Sequence, residues 1–279
     1  MSALGGAAAG GEGINPMASV IGLVIMVIAI AAAVVLGPAG TLAAIIGIIV
    51  GGALIGFGVH FVPVGGAPAA MGQAPGIATG VAMLAAGAGL AGLFGGAWAW
   101  EATGSYAVAA AGGAVGGGLM MAITCLMVNV VYVFGMGIPS ASGKVAKDPI
   151  TGDTFPEYKS QGTEGHGLPF ISYVGGVIGG TLGGLGGTLI YVELLRVYEA
   201  VLPTMLDASL EEVLPVAVSL AGIFAVGMFL VNAVLTAYNI TGTIEGPHDP
   251  KFKRFPRAVI AAAVASAVCG MLAIMVVSL

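Results

Sequence analysis

GFGVHFVPVGGAPAAMGQAPG, residues 56–76, closes one long apolar run and leads into the next. Its only side chain able to carry a charge is that of His60. Three prolines and six glycines in twenty-one residues exclude a regular helix, because proline removes a backbone donor and glycine adds backbone freedom. A loop in water is held there by polar side chains, and this one has almost none. An irregular, uncharged segment is tolerated at a membrane where protein or a water-lined cavity covers it. The stretch therefore points to an integral membrane protein.

Composition agrees. Of 279 residues, 58% are hydrophobic and 8% charged, and the mean hydropathy is +1.06. A soluble domain carries roughly 25% charged residues, so this chain could not cover a globule with polar groups. The net charge of −5 rests on few groups and excludes only a basic, nucleic-acid-binding surface. Cys125 and Cys269 lie inside apolar runs and imply neither a disulfide framework nor a metal site. The first apolar run is preceded by Glu12 and by no Lys or Arg, so no cleavable secretory signal is expected.

Crossing a bilayer takes roughly 20 apolar residues. Seven runs are long enough: 17–36, 40–60, 76–100, 105–136, 169–195, 213–239 and 258–278. The first two meet at Gly37 and Pro38, so they form a tight hairpin unless the first lies on the membrane surface. The expected fold is all-α and polytopic, with six core spans as three helical hairpins (40–100, 105–195, 213–278) and an extra N-terminal span. Residues 1–16 form a flexible lead, 17–38 the extra span, and 39–279 the six-span domain. Its expected cytoplasmic loops are 61–75, 137–168 and 240–257.

Charge sorts by side. Lys144, Lys147 and Lys159 fall in one loop, and Lys251, Lys253, Arg254 and Arg257 in another. The alternate connections, 101–104 and 196–212, hold Glu101, Glu199, Asp207, Glu211 and Glu212 with only Arg196. The excess of Lys and Arg places the basic loops in the cytoplasm. Residues 162–169, GTEGHGLP, resemble 242–250, GTIEGPHDP, and each follows a span carrying an asparagine, Asn129 or Asn232. A triplicated hairpin and a chance likeness between Gly/Pro-rich loops explain this equally well.

Glycines recur every fourth residue at Gly175, Gly179, Gly183 and Gly187, and at Gly112/Gly116 and Gly113/Gly117. Such stripes let helix backbones approach closely, which is how helices associate in lipid.

Enzyme signatures are nearly absent. GAGLAG at 87–92 matches a dinucleotide fingerprint, but inside a span with no strand before it. Polar groups in or near the membrane remain as candidates for an ion path. Asn129 and Asn232 offer carbonyl oxygens to a hard cation, or interhelical hydrogen bonds, the commoner use. Glu193 is a cation ligand or gate, or an interfacial partner of Arg196 at i, i+3, the favoured reading so near a span end. Pro63, Gly65 and Gly66 stand for the irregular stretch 61–75 at the mouth of that path, where bare carbonyls can face a cation as in broken transporter helices. His60, Glu164, His166, Glu245 and His248 are expected to make partner contacts. No residue is assigned to catalysis or to a fixed metal.

GVHFVPVGGAPAAM at 58–71, TGVAMLAAGAGLAGL at 79–93, KDPITG at 147–152 and GTEGHGLP at 162–169 carry a resemblance. Over roughly residues 40 to 279 the chain resembles the D subunit of the membrane-bound tetrahydromethanopterin S-methyltransferase of methane-forming archaea. The segment containing 17–36 extends beyond the family's shorter form. The resemblance implies membership of a complex that moves a methyl group from methyltetrahydromethanopterin to coenzyme M, coupled to sodium export. It implies a corrinoid on another subunit and a sodium-translocating part shared with the C and E subunits. None of the three histidines stands in a D-x-H-x-x-G corrinoid pattern, in keeping with a non-catalytic membrane subunit. A stand-alone secondary transporter built of hairpin repeats and a purely structural scaffold are the alternatives. No carboxylate at mid-span argues against the transporter.

Overall fold

The structure, a computed structural model, describes residues 14–62, 76–140, 146–155, 167–240 and 255–278, without the side chains of 76–86, 88 and 237–240. Seven α-helices follow one another, and no strand occurs among the described residues. They are α1 (Pro16–Leu36), α2 (Thr41–Val59), α3 (Gly76–Thr103), α4 (Tyr106–Asn129), α5 (Phe170–Leu206), α6 (Leu210–Ile240) and α7 (Phe255–Met275). The all-α, polytopic expectation holds. Six of these helices are long and apolar enough to cross a membrane over their described residues, and α3 is 28 residues long.

Local chemistry sets the helix ends. Asn15 caps α1 by accepting from the N–H of Ala18 at 3.0 Å, with Pro16 in the first turn. Proline there costs nothing, since its missing donor would go unused. The chain turns between α1 and α2 at residues 37–40, where Gly40 takes a φ of 89° that suits a residue without Cβ. Ser209 and Glu212 form a reciprocal capping box at the start of α6: Glu212 accepts from Ser209 N at 2.8 Å, and Ser209 Oγ accepts from Glu212 N at 3.3 Å. A π-helical segment, Val130–Gly135, continues α4.

The helix α5 extends past the expected span end at residue 195 to Leu206. Its 37 residues make it about 55 Å long, well beyond a hydrocarbon core of about 30 Å. It is the axis of the bundle and packs against α2, α3, α4 and α6. The glycines explain why. A Cβ on Gly58 would stand 2.6 Å from the Gly179 carbonyl oxygen, and one on Gly116 2.7 Å from that of Ala91. Gly117 and Gly180 meet in the same way. Backbone touches backbone on two faces of α5, the contact that small residues permit.

Pairing along the bundle differs from simple hairpins. The helices α4 and α5 do pack as a pair, but α2 and α3 barely touch; each leans on α5 instead. The N-terminal α1 lies along α7, with Gly22 beside Val264 and Gly37 beside Ile274, rather than along α2. Most of its length is exposed.

Candidate functional site

Among the described residues, the candidate polar side chains fall in three places. The first surrounds Glu193, two-thirds of the way along α5. Its Oε1 accepts a hydrogen bond from the hydroxyl of Tyr106, at the start of α4. Its Oε2 lies 3.7 Å from Nη1 of Arg196, so the expected i, i+3 pair is present. The carboxylate itself is buried, only 8% exposed. A Cβ on Gly47 would come 2.6 Å from Glu193 Cγ, so bare α2 backbone covers the acid. Sequence spacing found Arg196 but missed Tyr106, which approaches from another helix.

The second is a seam between α2, α6 and α7. Asn232 is buried; its Nδ2 donates to the carbonyl of Met228 at 2.9 Å and to Ser266 Oγ, on α7, at 2.8 Å. Its Oδ1 is buried without a partner, and so is Oγ1 of Thr236, one turn on. Opposite Asn232 Nδ2 and Thr236 Oγ1, α2 presents Gly52 and Gly56. A Cβ on Gly52 would collide with Ser266 Oγ and stand 3.0 Å from Asn232 Nδ2; one on Gly56 would stand 3.3 Å from Thr236 Oγ1. The next residue in this series, His60, is wholly buried and donates from Nδ1 to the Gly56 carbonyl at 2.8 Å. The Phe255 ring stands edge-on to its imidazole. His60, expected to meet a partner from a loop, is instead a buried member of the seam at the C-cap of α2. Each unmet acceptor costs roughly 1–3 kcal/mol when buried, and two within one turn call for an explanation. Thr236 and Ser266 were not among the candidates from sequence, although an Asn and a Thr at i, i+4 on an apolar helix is a legible signal.

The third lies where α4 meets α5. Asn129 Oδ1 accepts from Leu168 N at 2.6 Å, and its Nδ2 donates to Leu168 O at 3.1 Å. Both ends of the amide are thus committed to one backbone residue. Beside it, Asp148 is buried, 1% exposed, in a tight turn bridged by Lys147 and Thr154. Its Oδ1 accepts from Ile150 N at 2.8 Å and Thr151 N at 3.1 Å, and its Oδ2 from Ile171 N at 2.8 Å. The α5 N-cap, Pro169, has no capping side chain, so Asp148 supplies one from the loop. A carboxylate there also meets the positive end of the helix dipole. Burial pushes this carboxyl's pKa up, but the N–H groups of Ile171, Ile150, Thr151 and Phe170 outweigh it and hold the pKa below the usual value. A cavity of about 530 Å³ opens here, lined by Asn129, Asp148, Asp153 and Tyr173 among others.

The structure brings Asn232 into a shared site with residues of two other helices, whereas Asn129 and Glu193 sit apart from it and from each other. Pro63, Gly65, Gly66, Glu164, His166, Glu245 and His248 lie outside the described residues. Among the described residues no three His, Cys, Asp or Glu side chains come together as a metal site.

Comparison with known proteins places this bundle. Residues 41–266 match the family model of the D subunit of tetrahydromethanopterin S-methyltransferase. The chain is 50% identical over 231 residues to the D subunit of that enzyme from Methanosarcina mazei, covering 83% of this chain and 92% of that one. It is 52% identical over 228 residues to its counterpart in Methanothermobacter marburgensis, covering 81% and 93%. With that of Methanopyrus kandleri the identity is 46% over 232 residues, covering 83% and 95%. α1 lies before the matched region, in keeping with its peripheral place on α7; the match runs from the start of α2 into α7. The chain belongs to the D-subunit family of tetrahydromethanopterin S-methyltransferase.

Proposed function

We propose that this chain is a multispan subunit of a complex that passes a methyl group from methyltetrahydromethanopterin to coenzyme M and moves sodium ions as it does so. The methyl group travels through a corrinoid held by another subunit. This chain contributes to the sodium-translocating part, beside the C and E subunits, with lipid on its remaining apolar faces. It sits in the cell membrane with its basic loops in the cytoplasm. Membership of the D-subunit family over residues 41–266 is the observation that carries this reading.

Coupling then requires that the ion interact differently with two states of the bundle, since equal affinity for both shifts nothing. Of the ion-path candidates, Asn232 keeps a buried acceptor without a partner. The amide of Asn129 is committed to Leu168, and Glu193 to Tyr106 and Arg196; these two hold the bundle. Pro63, Gly65 and Gly66 keep their proposed place at the mouth.

The test is mild detergent purification through a tag on this chain, with mass spectrometry of the co-purifying proteins, a visible spectrum and sodium flux in vesicles. Partner membrane subunits with corrinoid absorption and methyl-driven sodium uptake support the reading. A single colourless protein that moves ions alone overturns it for an independent transporter. A complex whose flux ignores substitutions in this chain reduces the chain to a scaffold.

A further inference from the structure

Asn232 Oδ1 and Thr236 Oγ1 lie within one turn of α6, fully buried and without a hydrogen-bond partner. Thr236 Oγ1 and the Nδ2 of the same Asn232 amide face the stretch of α2 where Gly56 and Gly52 leave the backbone bare. Ser266 Oγ of α7 stands against the same stretch and accepts from Asn232 Nδ2. That bond, with the one to Met228 O, fixes which way the amide points, so that Oδ1 is the end left over. From these contacts we infer that Asn232, Thr236 and Ser266 form a binding site for a dehydrated monovalent hard cation, sodium, between α2, α6 and α7. The inference rests on the ion-translocating reading above and gives it an address in this chain.

The donor set decides the class of ion. Amide and hydroxyl oxygens are hard, neutral ligands. Calcium and magnesium are held largely by carboxylates, and soft metals by thiolate and imidazole. Among the described residues, the buried polar side chains of the seam on α6 and α7 are Asn232, Thr236 and Ser266, with no carboxylate among them. A site without formal charge also holds its ion loosely enough to release it, as conduction and transport need. Thr236 is four residues from the end of α6 and Gly56 three from the end of α2. The site is therefore one to two turns, about 6–12 Å, from the end of the bundle where both helices present their carbonyl ends.

The competing occupant is a water molecule, which would satisfy the same two atoms. Methyl transfer by the purified complex, measured against sodium concentration with potassium holding ionic strength constant, separates them. T236V deletes one oxygen in an isosteric side chain and T236S keeps it. We expect T236V to raise the sodium concentration for half-maximal rate about tenfold and T236S to bring it back towards the wild-type value, since a contact to a charged group is being lost. S266A deletes an oxygen without adding bulk and reads the same quantity should T236V fail to assemble on gel filtration. Assembled T236V and S266A complexes with an unaltered sodium requirement would mean that the seam holds water only, and the site falls while the pump reading stands. A wild-type complex whose rate ignores sodium overturns the pump reading and the site with it.

Discussion

Asn129 grips Leu168 with both ends of its amide, accepting the N–H at 2.6 Å and donating to the carbonyl at 3.1 Å. One side chain at the end of α4 thereby takes up the backbone polar groups of the residue that leads into α5. Three residues further along, Asp148 accepts from Ile171. The start of the longest helix is thus tied down by two side chains that approach from outside it.

Replacing Asn129 tests the first tie. N129A leaves both Leu168 backbone groups without their partner and is expected to cost about 1–3 kcal/mol locally. N129D keeps the acceptor but loses the donor, and falls between. Hydrogen exchange at the Leu168 amide should rise in the order wild type, N129D, N129A, while that of Ile190, deep in the bundle, stays unchanged.

Asp148 gives a pH-dependent tie. Its folded pKa is lowered, so its contribution is fully present above the unfolded value of about 3.9 and is lost as pH falls through the lower folded value. D148N removes the charged acceptor facing Ile171. At pH 7 exchange at the Ile171 amide should quicken about fivefold, the equivalent of about 1 kcal/mol for a helix cap. The gap between variant and wild type should close progressively below about pH 4. A gap that persists unchanged to about pH 2 would show that the carboxylate's charge plays no part.

The glycines divide into two groups by what a methyl would meet. In G180A the new carbon would stand 2.9 Å from Met121 Cβ and closer still to the Gly117 carbonyl, so α4 and α5 must separate, at a cost of about 1–3 kcal/mol or more. At Gly222 nothing lies within 4 Å, and G222A should be neutral or stabilising by up to about 1 kcal/mol. Thermal unfolding of the two variants in one detergent should give shifts of opposite sign, or one clear loss beside no change.

Glu193 has two partners of unequal weight. Arg196 is 54% exposed, and an ion pair so open to solvent is worth about 0–1 kcal/mol. Tyr106 meets the buried oxygen, and its loss leaves a charged group short of a donor, at about 1–3 kcal/mol. Y106F should therefore destabilise more than R196A. A double-mutant cycle between Y106F and E193Q should show coupling, and one between R196A and Y106F, which share Glu193, a smaller coupling.

Much of this protein was legible in its sequence. The seven runs read from hydropathy coincide with seven helices, because burial in lipid imposes length and apolarity on each segment separately. The periodic glycines announced close helix contacts, and the i, i+3 spacing of Glu193 and Arg196 announced their pair. These are properties of a stretch of chain taken alone. Only the tertiary structure decided which backbone each glycine faces, that α1 lies on α7, that α5 is the common axis, and that Asp148 caps a helix through a residue 23 positions away. It also separated two asparagines that look alike in sequence: Asn129 finds both its partners on Leu168, while Asn232, set between three helices, is left with a buried oxygen. Whether a buried polar atom is satisfied depends on groups brought from distant parts of the chain, and no local pattern encodes that.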